Sequence, residues 1–388
     1  MKIERLHFFN FWIVIVFMYL FIKMEDILGI SVVGSITQLS LLYIIYGLGI
    51  MFTIVYGKHV VSLFLFLNIL FVGFGIISTF QFGISSSSII HDIVYMSFWL
   101  LVLFICYSCS DIITQSRFVV NLMVAFDLLM ILSFYIWFLN GGRSSIAAVN
   151  AVYFTTCLFP IVFLDIKRFM KIIILVSSTA CALLSGKRTA LIVLVIAFAL
   201  PYLCKLLMSD GKNKLKNIFS LVALSVLIVL LYDYLLDKFN ITIFERFQNI
   251  AVDGGSGRFD IYHAVIEAFN NSGIINKVLG HGYNGVFNYG VTFTSAHNDF
   301  LEVLYDNGLI GLTLYLCFIG GVISTAIKLL KNRMETSFAV LSALMVFICM
   351  SITSHLVIYP TYFIYIVIII MIGQSELVER NVHEGITY

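Results

Sequence analysis

Uninterrupted apolar runs are the feature that most limits what this chain can fold into. A helix needs about 20 apolar residues to cross the hydrocarbon core of a membrane. Only 11% of the residues are charged, and the runs are continuous instead of alternating, which disfavours a β-barrel. About twelve runs can be drawn, the seventh and twelfth of them short, at 8–23, 36–56, 60–81, 89–108, 118–139, 146–164, 170–185, 189–208, 218–236, 309–330, 337–357 and 361–374.

These runs predict an all-α, polytopic membrane protein with about 12 transmembrane helices. Residues 1–388 would form a single transmembrane domain, with one long ordered loop at 237–300 between the ninth and tenth spans. Cytoplasmic loops are rich in Lys and Arg, and most of the 23 such residues share one face if the N-terminus is cytoplasmic. An even number of spans then places the C-terminus inside and the long loop outside.

Eight of the 23 basic residues would lie on the outer face against this bias, and two of them are the sharpest case. Lys187 and Arg188 occupy a tight connection between two apolar runs, within Ser185–Thr189. Arg188 then lies at or just within the membrane boundary, where an ionisable group is costly unless it faces a polar cavity or partner. Two interpretations stay open: a snorkelling anchor at a helix end, or part of an anion-binding site.

The long loop is aromatic and glycine-rich, which is not the composition of a disordered linker. Apolar residues recur at helical spacing over Arg258–Asn271, so Arg258 falls in the first turn of a predicted helix. A second helix is predicted to begin at Asn298 or the residue after it and to run to Asn307. Gly308 is its natural C-cap.

Glycines alternate with polar and aromatic residues between these two helices, where His281 and Tyr283 lie within Gly280–Gly285. Glycine lets the backbone approach a ligand closely and exposes its N–H groups. An ordinary flexible turn explains the same pattern, and both interpretations stay open.

His297 precedes a predicted helix N-terminus, where unpaired N–H groups and the helix dipole favour an anion. The positive end of the dipole also lowers the pKa of an imidazole, which keeps the ring neutral at pH 7. A neutral histidine near phosphate oxygens can act as a general base. The alternative is a surface or capping histidine.

Nothing in the sequence predicts a metal site or cofactor. No cluster of Asp, Glu and His with ligand spacing occurs in the long loop, and the seven cysteines lie in or beside apolar runs. Buried, inert thiols are therefore expected instead of a disulfide framework.

Three motifs in order resemble the O-antigen ligase and O-antigen polymerase superfamily. His297-Asn298, nine further residues and then Gly308–Gly311 match its pattern H-[NSQ]-x9-G-x-x-G. Ser185–Ala190 and Gly257–Tyr262 resemble its two arginine motifs. The resemblance covers about 185–330, and the N-terminal half agrees only in hydropathy.

The resemblance implies a GT-C-like membrane glycosyltransferase that uses an undecaprenyl-diphosphate-linked oligosaccharide at the periplasmic face of the bacterial inner membrane. Arg188 and Arg258 would bind the diphosphate and stabilise charge on it as it leaves. His297 would orient or deprotonate the attacking hydroxyl. The sugar–diphosphate bond is already activated, so neither metal nor cofactor is required. Further substrate contacts would come from Lys187, His281, Tyr283 and Asn298.

The acceptor separates the two activities of this superfamily, and no residue here identifies it. A Wzy-type polymerase hands the growing chain to a lipid-linked repeat unit, whereas a ligase hands it to lipid A core. Chain length, low charge and the stretch Ala296–Gly308 favour the polymerase of a surface-polysaccharide cluster. The resemblance also implies a chain-length regulator as a partner, and no nucleic acid.

A transporter of lipid-linked oligosaccharide is the alternative from a different class. Transporters often show repeated halves and polar groups at mid-membrane. No repeat is visible here, and the clearest intramembrane charges are Asp92 and Asp127. Asp127 would bind substrate or pair with arginine in a transporter, whereas a buried, protonated carboxyl is the plainer interpretation.

Overall fold

Helices make up almost all of the described chain. The computed structural model describes residues 2–31, 33–56, 62–82, 89–113, 117–141, 148–209, 211–239, 247–248 and 254–383, and no β-strand occurs among them. Ten α-helices precede the long loop: α1 (Lys2–Leu28), α2 (Ser35–Tyr56), α3 (Leu63–Phe82), α4 (Ile89–Ser108), α5 (Ser110–Ile113), α6 (Arg117–Leu139), α7 (Val152–Leu158), α8 (Arg168–Ser185), α9 (Arg188–Met208) and α10 (Gly211–Phe239). Three lie within the long loop: α11 (Gly254–Asn271), α12 (Ile274–Leu279) and α13 (Gly285–Asn288). Three more follow: α14 (Asp299–Lys331), α15 (Ser337–Thr353) and α16 (Pro360–His383).

Nine of the helices within these described ranges are long and apolar enough to cross a membrane: α2, α3, α4, α6, α8, α9, α10, α14 and α16. Two shorter apolar segments accompany them, Val149–Phe163 and Ser337–Thr353. Every predicted apolar run coincides with helix over most of its described residues. The prediction of an all-α, multi-pass membrane protein is therefore confirmed.

The run predicted at 146–164 is not one regular helix. Its described part consists of a 3₁₀ turn at Ala148–Ala151, the short α7, and a second 3₁₀ turn at Phe159–Phe163 that has a proline in its first turn. Proline lacks an N–H and cannot continue an α-helical ladder. Nearly all of these side chains are buried, so the segment packs among other helices and does not need the length of a lipid-facing span.

The helix α16 lies at the centre of the bundle. Every side chain from Phe363 to Met371 is at most 1% exposed. The Phe363 ring packs against Phe347 of α15, with centroids 5.0 Å apart, and against Trp99 of α4, with centroids 5.4 Å apart. Aromatic pairs at such distances stabilise a core beyond the area they bury. This packing fixes the start of α16 and the connection 354–359 before it.

The described part of the long loop has a small hydrophobic core of its own. Val265, Val286, Ala296 and Tyr305 are buried together. The helix predicted over Arg258–Asn271 is confirmed as α11, which begins four residues earlier. The described part of the long loop is thus a packed element that can position side chains.

Candidate active site

The backbone at Gly308 breaks α14 into a short first segment and a long second one. Gly308 has φ 64° and ψ −166°, a combination that glycine alone adopts readily. A Cβ there would lie 2.4 Å from the Val278 carbonyl oxygen, and one at Gly280 would lie 2.1 Å from the Asp306 carbonyl oxygen. These two glycines therefore let the end of α12 cross α14 in backbone contact.

We expect Gly308→Ala to destabilise the protein by about 2 kcal/mol or more, because alanine meets both the unfavourable dihedral angles and the Val278 backbone. Thermal unfolding in detergent measures the change. Gly320→Ala is the matched control in the same helix, since its added Cβ meets nothing within 4 Å. Equal unfolding temperatures for the two variants would contradict this role for Gly308.

The N-terminus of α14 is held by its cap. The Asn298 side chain accepts a hydrogen bond from Leu301 N at 3.1 Å and donates one to the Ile352 carbonyl at 3.1 Å. Asn298, which sequence reasoning assigned to substrate, is thus engaged within the protein as a helix cap. The adjacent residue His297 has φ 52°, which is uncommon for a residue with a side chain.

Three buried carboxylates on the first segment of α14 hold separate loop segments in place. Asp299 accepts hydrogen bonds from Leu356 N at 2.9 Å and from Val357 N at 3.4 Å. Glu302 accepts one from Ala296 N, and Asp306 accepts one from Gly285 N at 2.8 Å. Sequence reasoning missed this frame, although its D-x-x-E-x-x-x-D spacing places all three residues near one helix face.

The imidazole of His297 is the focus of the site. Its Nδ1 is buried and has no hydrogen-bond partner among the described residues. Desolvation, and then the positive charges of Arg258 and Lys187, lower the pKa of His297 to about 4. The ring is therefore neutral at pH 7 and keeps an unused hydrogen-bonding atom beside two cations.

His355, which sequence reasoning did not single out, lies against His297. The ring centroids are 5.0 Å apart with 27° between the planes. Ser295 Oγ lies 3.1 Å from His355 Nδ1, and desolvation together with His297, Arg258 and Lys187 holds the pKa of His355 well below its usual range. The available signal was a histidine that interrupts apolar sequence just before α16.

The cationic side of the site combines the α8–α9 turn with α11. Gly186 ends α8 in the left-handed conformation at φ 64°, and Lys187 then caps α9. Arg258 Nη1 donates to Thr189 Oγ1 at 3.2 Å. Arg188 is the first residue of α9, between Lys187 and Thr189, and is half-buried. Lys187 and Arg258 are thus near enough to His297 for their charges to lower its pKa, and Arg188 lies in the same turn as Lys187.

His281 has its contacts elsewhere in the loop. Its Nε2 lies 3.1 Å from Ser272 Oγ, its Nδ1 lies 3.1 Å from the Tyr305 carbonyl oxygen, and its ring stacks on Tyr305 at 4.1 Å. The Tyr283 hydroxyl donates to the Ile358 carbonyl at 2.7 Å. These polar atoms therefore contact protein groups, and substrate binding by His281 and Tyr283 stays a prediction.

Residues 172–316 match the family model described as O-antigen ligase. The chain carries an O-antigen ligase-type domain. This domain extends from α8 into α14 and contains Lys187, Arg188, Arg258 and His297, whereas His355 lies outside it. No curated protein matches the chain. Within the described ranges, no group of three or more His, Cys, Asp or Glu residues could hold a metal ion.

Proposed function

We propose that this protein is a surface-polysaccharide polymerase of the O-antigen type. It would transfer a growing glycan from undecaprenyl diphosphate to the non-reducing end of a lipid-linked repeat unit, on the periplasmic face of the inner membrane. The observation that carries the proposal is the neutral His297 imidazole, whose Nδ1 lacks a partner among the described residues, beside the charges of Arg258 and Lys187.

In the proposed reaction, the basic residues stabilise the leaving diphosphate and His297 accepts the proton of the attacking hydroxyl. The acceptor hydroxyl oxygen attacks the anomeric carbon of the donor sugar, and the bond from that carbon to the diphosphate oxygen breaks. The diphosphate leaves with the electron pair and is stabilised by Arg258, Lys187 and Arg188. His297 takes the hydroxyl proton as general base.

Donor binding itself would make His297 a stronger base. Its pKa is about 4, in part because Arg258 and Lys187 disfavour a third positive charge. A bound diphosphate offsets those two charges and favours the imidazolium form. Proton uptake would therefore be coupled to the presence of the donor, so that the base is strengthened only when transfer can occur.

The pH dependence of transfer follows from this electrostatic arrangement. Because kcat/KM reports the ionisation of the free enzyme, we expect it to stay constant from pH 7 down to about 5 and to fall near pH 4, where His297 becomes protonated. Lys187→Gln removes a positive charge and should shift this acidic limb to higher pH. Initial rates measured in lipid nanodiscs test both points, and a limb near pH 6.5 in both proteins would contradict them.

A ligase is the second candidate, because it would use the same diphosphate side of the site. A flippase is favoured less. Asp127 of α6 is fully buried, and neither of its carboxylate oxygens is hydrogen-bonded within the described part of the chain. This intramembrane acid is the one observation that supports a flippase. Asp92 lies at the start of α4, 3.5 Å from His91, and not in mid-membrane.

Deletion of the gene separates the three activities on a gel of surface glycan. A polymerase deletion leaves a single repeat unit attached to core and no ladder. A ligase deletion abolishes attachment, and lipid-linked polymer accumulates. A flippase deletion accumulates lipid-linked single units on the cytoplasmic face. The first pattern supports the proposal, and either of the others overturns it.

A further inference from the structure

The ring stack that begins at His297 continues to an exposed tyrosine. His355 contacts His297 at a centroid distance of 5.0 Å and Tyr359 at 4.3 Å. Tyr359 immediately precedes α16 and is 40% exposed. The start of α16 is fixed by the central packing of that helix, so the tyrosine ring is presented from a rigid position two ring contacts from the proposed general base.

Polar groups of α4 lie next to this tyrosine. The Tyr95 hydroxyl lies 3.4 Å from Thr361 Oγ1, two residues after Tyr359, and the Tyr95 ring stacks on His91 at 5.8 Å. His91 Nδ1 lies 3.5 Å from an Asp92 carboxylate oxygen, and both side chains are partly exposed. The start of α16, which Tyr359 precedes, is thus linked through Tyr95 to an imidazole and a carboxylate, which can donate to and accept from hydroxyl groups.

The charges around Tyr359 suit a neutral ligand and not the diphosphate. Burial, and then the neighbouring acid Glu302, raise the pKa of Tyr359, whereas the cations Arg258 and Lys187 lower the pKa of His297. The face of an aromatic ring carries negative potential, and the C–H bonds on one face of a pyranose are weakly positive and apolar. A sugar ring can stack there while its hydroxyl groups reach the adjacent polar side chains.

We propose that Tyr359 is the platform on which the acceptor's terminal sugar stacks, with His91 and Asp92 binding its hydroxyl groups. This inference rests on the proposed glycan transfer and assigns its acceptor side. His297 then lies between an anionic donor group held by cations and a neutral sugar held by an aromatic ring. An aromatic anchor at the membrane interface is the other role open to an exposed tyrosine, and the experiment must separate the two.

Saturation-transfer NMR on the full-length protein in nanodiscs tests the platform. The probe is the repeat-unit oligosaccharide released from its lipid, which carries no diphosphate. We expect wild type and Tyr359→Phe to bind it and Tyr359→Leu to bind about tenfold more weakly, because leucine keeps apolar bulk but lacks a π-face. Asp92→Asn should also bind the oligosaccharide more weakly than wild type does. Phe293→Leu is the matched control, since Phe293 is another exposed aromatic residue, 99% exposed in the long loop.

Two results would overturn the platform: Tyr359→Leu binding the oligosaccharide as tightly as wild type does, or wild type giving no saturation transfer. Arg258→Lys should bind this probe like wild type, because the probe lacks the group that Arg258 recognises. Failure of glycan transfer as a function would be seen separately, as an unchanged polymer ladder in His297→Ala.

Discussion

Replacing His297 by alanine is expected to reduce glycan transfer by about 100-fold or more, within the usual contribution of a general base. The substitution removes the imidazole that lies beside Arg258 and Lys187 and leaves the Asn298 cap of α14 in place. The polymer ladder of a complemented deletion strain should therefore disappear while the protein accumulates in the membrane at its normal level. Gel analysis of the glycan and immunoblotting of membranes measure the two quantities.

His263→Ala is the control for this substitution. His263 lies on α11 of the same loop, and its side chain is 84% exposed beside Glu267, so its loss should leave the ladder unchanged. Chains of normal length from His297→Ala would remove the general-base role. Loss of the protein from the membrane would instead assign His297 to folding.

Arg258→Lys is expected to lower transfer by about 100-fold although the positive charge is kept. The guanidinium is planar and offers several N–H donors, of which one donates to Thr189 at 3.2 Å. The remaining donors can pair with two diphosphate oxygens at once. A lysine ammonium can hold the charge but not this paired geometry. Initial rates in nanodiscs, taken over a range of donor concentrations, separate weaker binding from slower transfer.

Arg117→Lys is the matched control, since the Arg117 side chain is 86% exposed in a surface pair with Asp165. We expect it to retain wild-type rates. Arg188→Lys should be impaired as well if Arg188 completes the cationic side. Full activity of Arg258→Lys would contradict diphosphate recognition by that residue and reduce it to a structural contact between α11 and α9.

Local signals in the sequence predicted several backbone features around the candidate site, because such signals act over a few residues. The cap at Asn298, the break at Gly308 and the helix after Arg258 each follow from the conformational preferences of neighbouring residues. The same local signals could not show which segment of the chain packs against the helix break at Gly308. Gly308 and Gly280 allow two backbones to cross, and a sequence alone does not distinguish that use of glycine from close approach to a ligand.

His281 illustrates this ambiguity. Its glycine neighbours resemble a ligand-binding loop, but the structure uses them to bring His281 N within 3.0 Å of the Tyr305 carbonyl oxygen. His355 is the opposite case, because no local pattern marks it. It interrupts an apolar sequence without any local pattern, and its importance arises only because α15 and α16 bring it beside His297. Long-range packing decided both cases.

Transfer by the purified protein tests the central claim most directly. The protein in nanodiscs is supplied with lipid-linked single repeat units and no other protein, and the products are separated and weighed by mass spectrometry. We predict a ladder of undecaprenyl-diphosphate-linked oligomers, with one undecaprenyl diphosphate released for each bond formed. Absence of oligomers, with transfer only when lipid A core is supplied as acceptor, would contradict polymerase function.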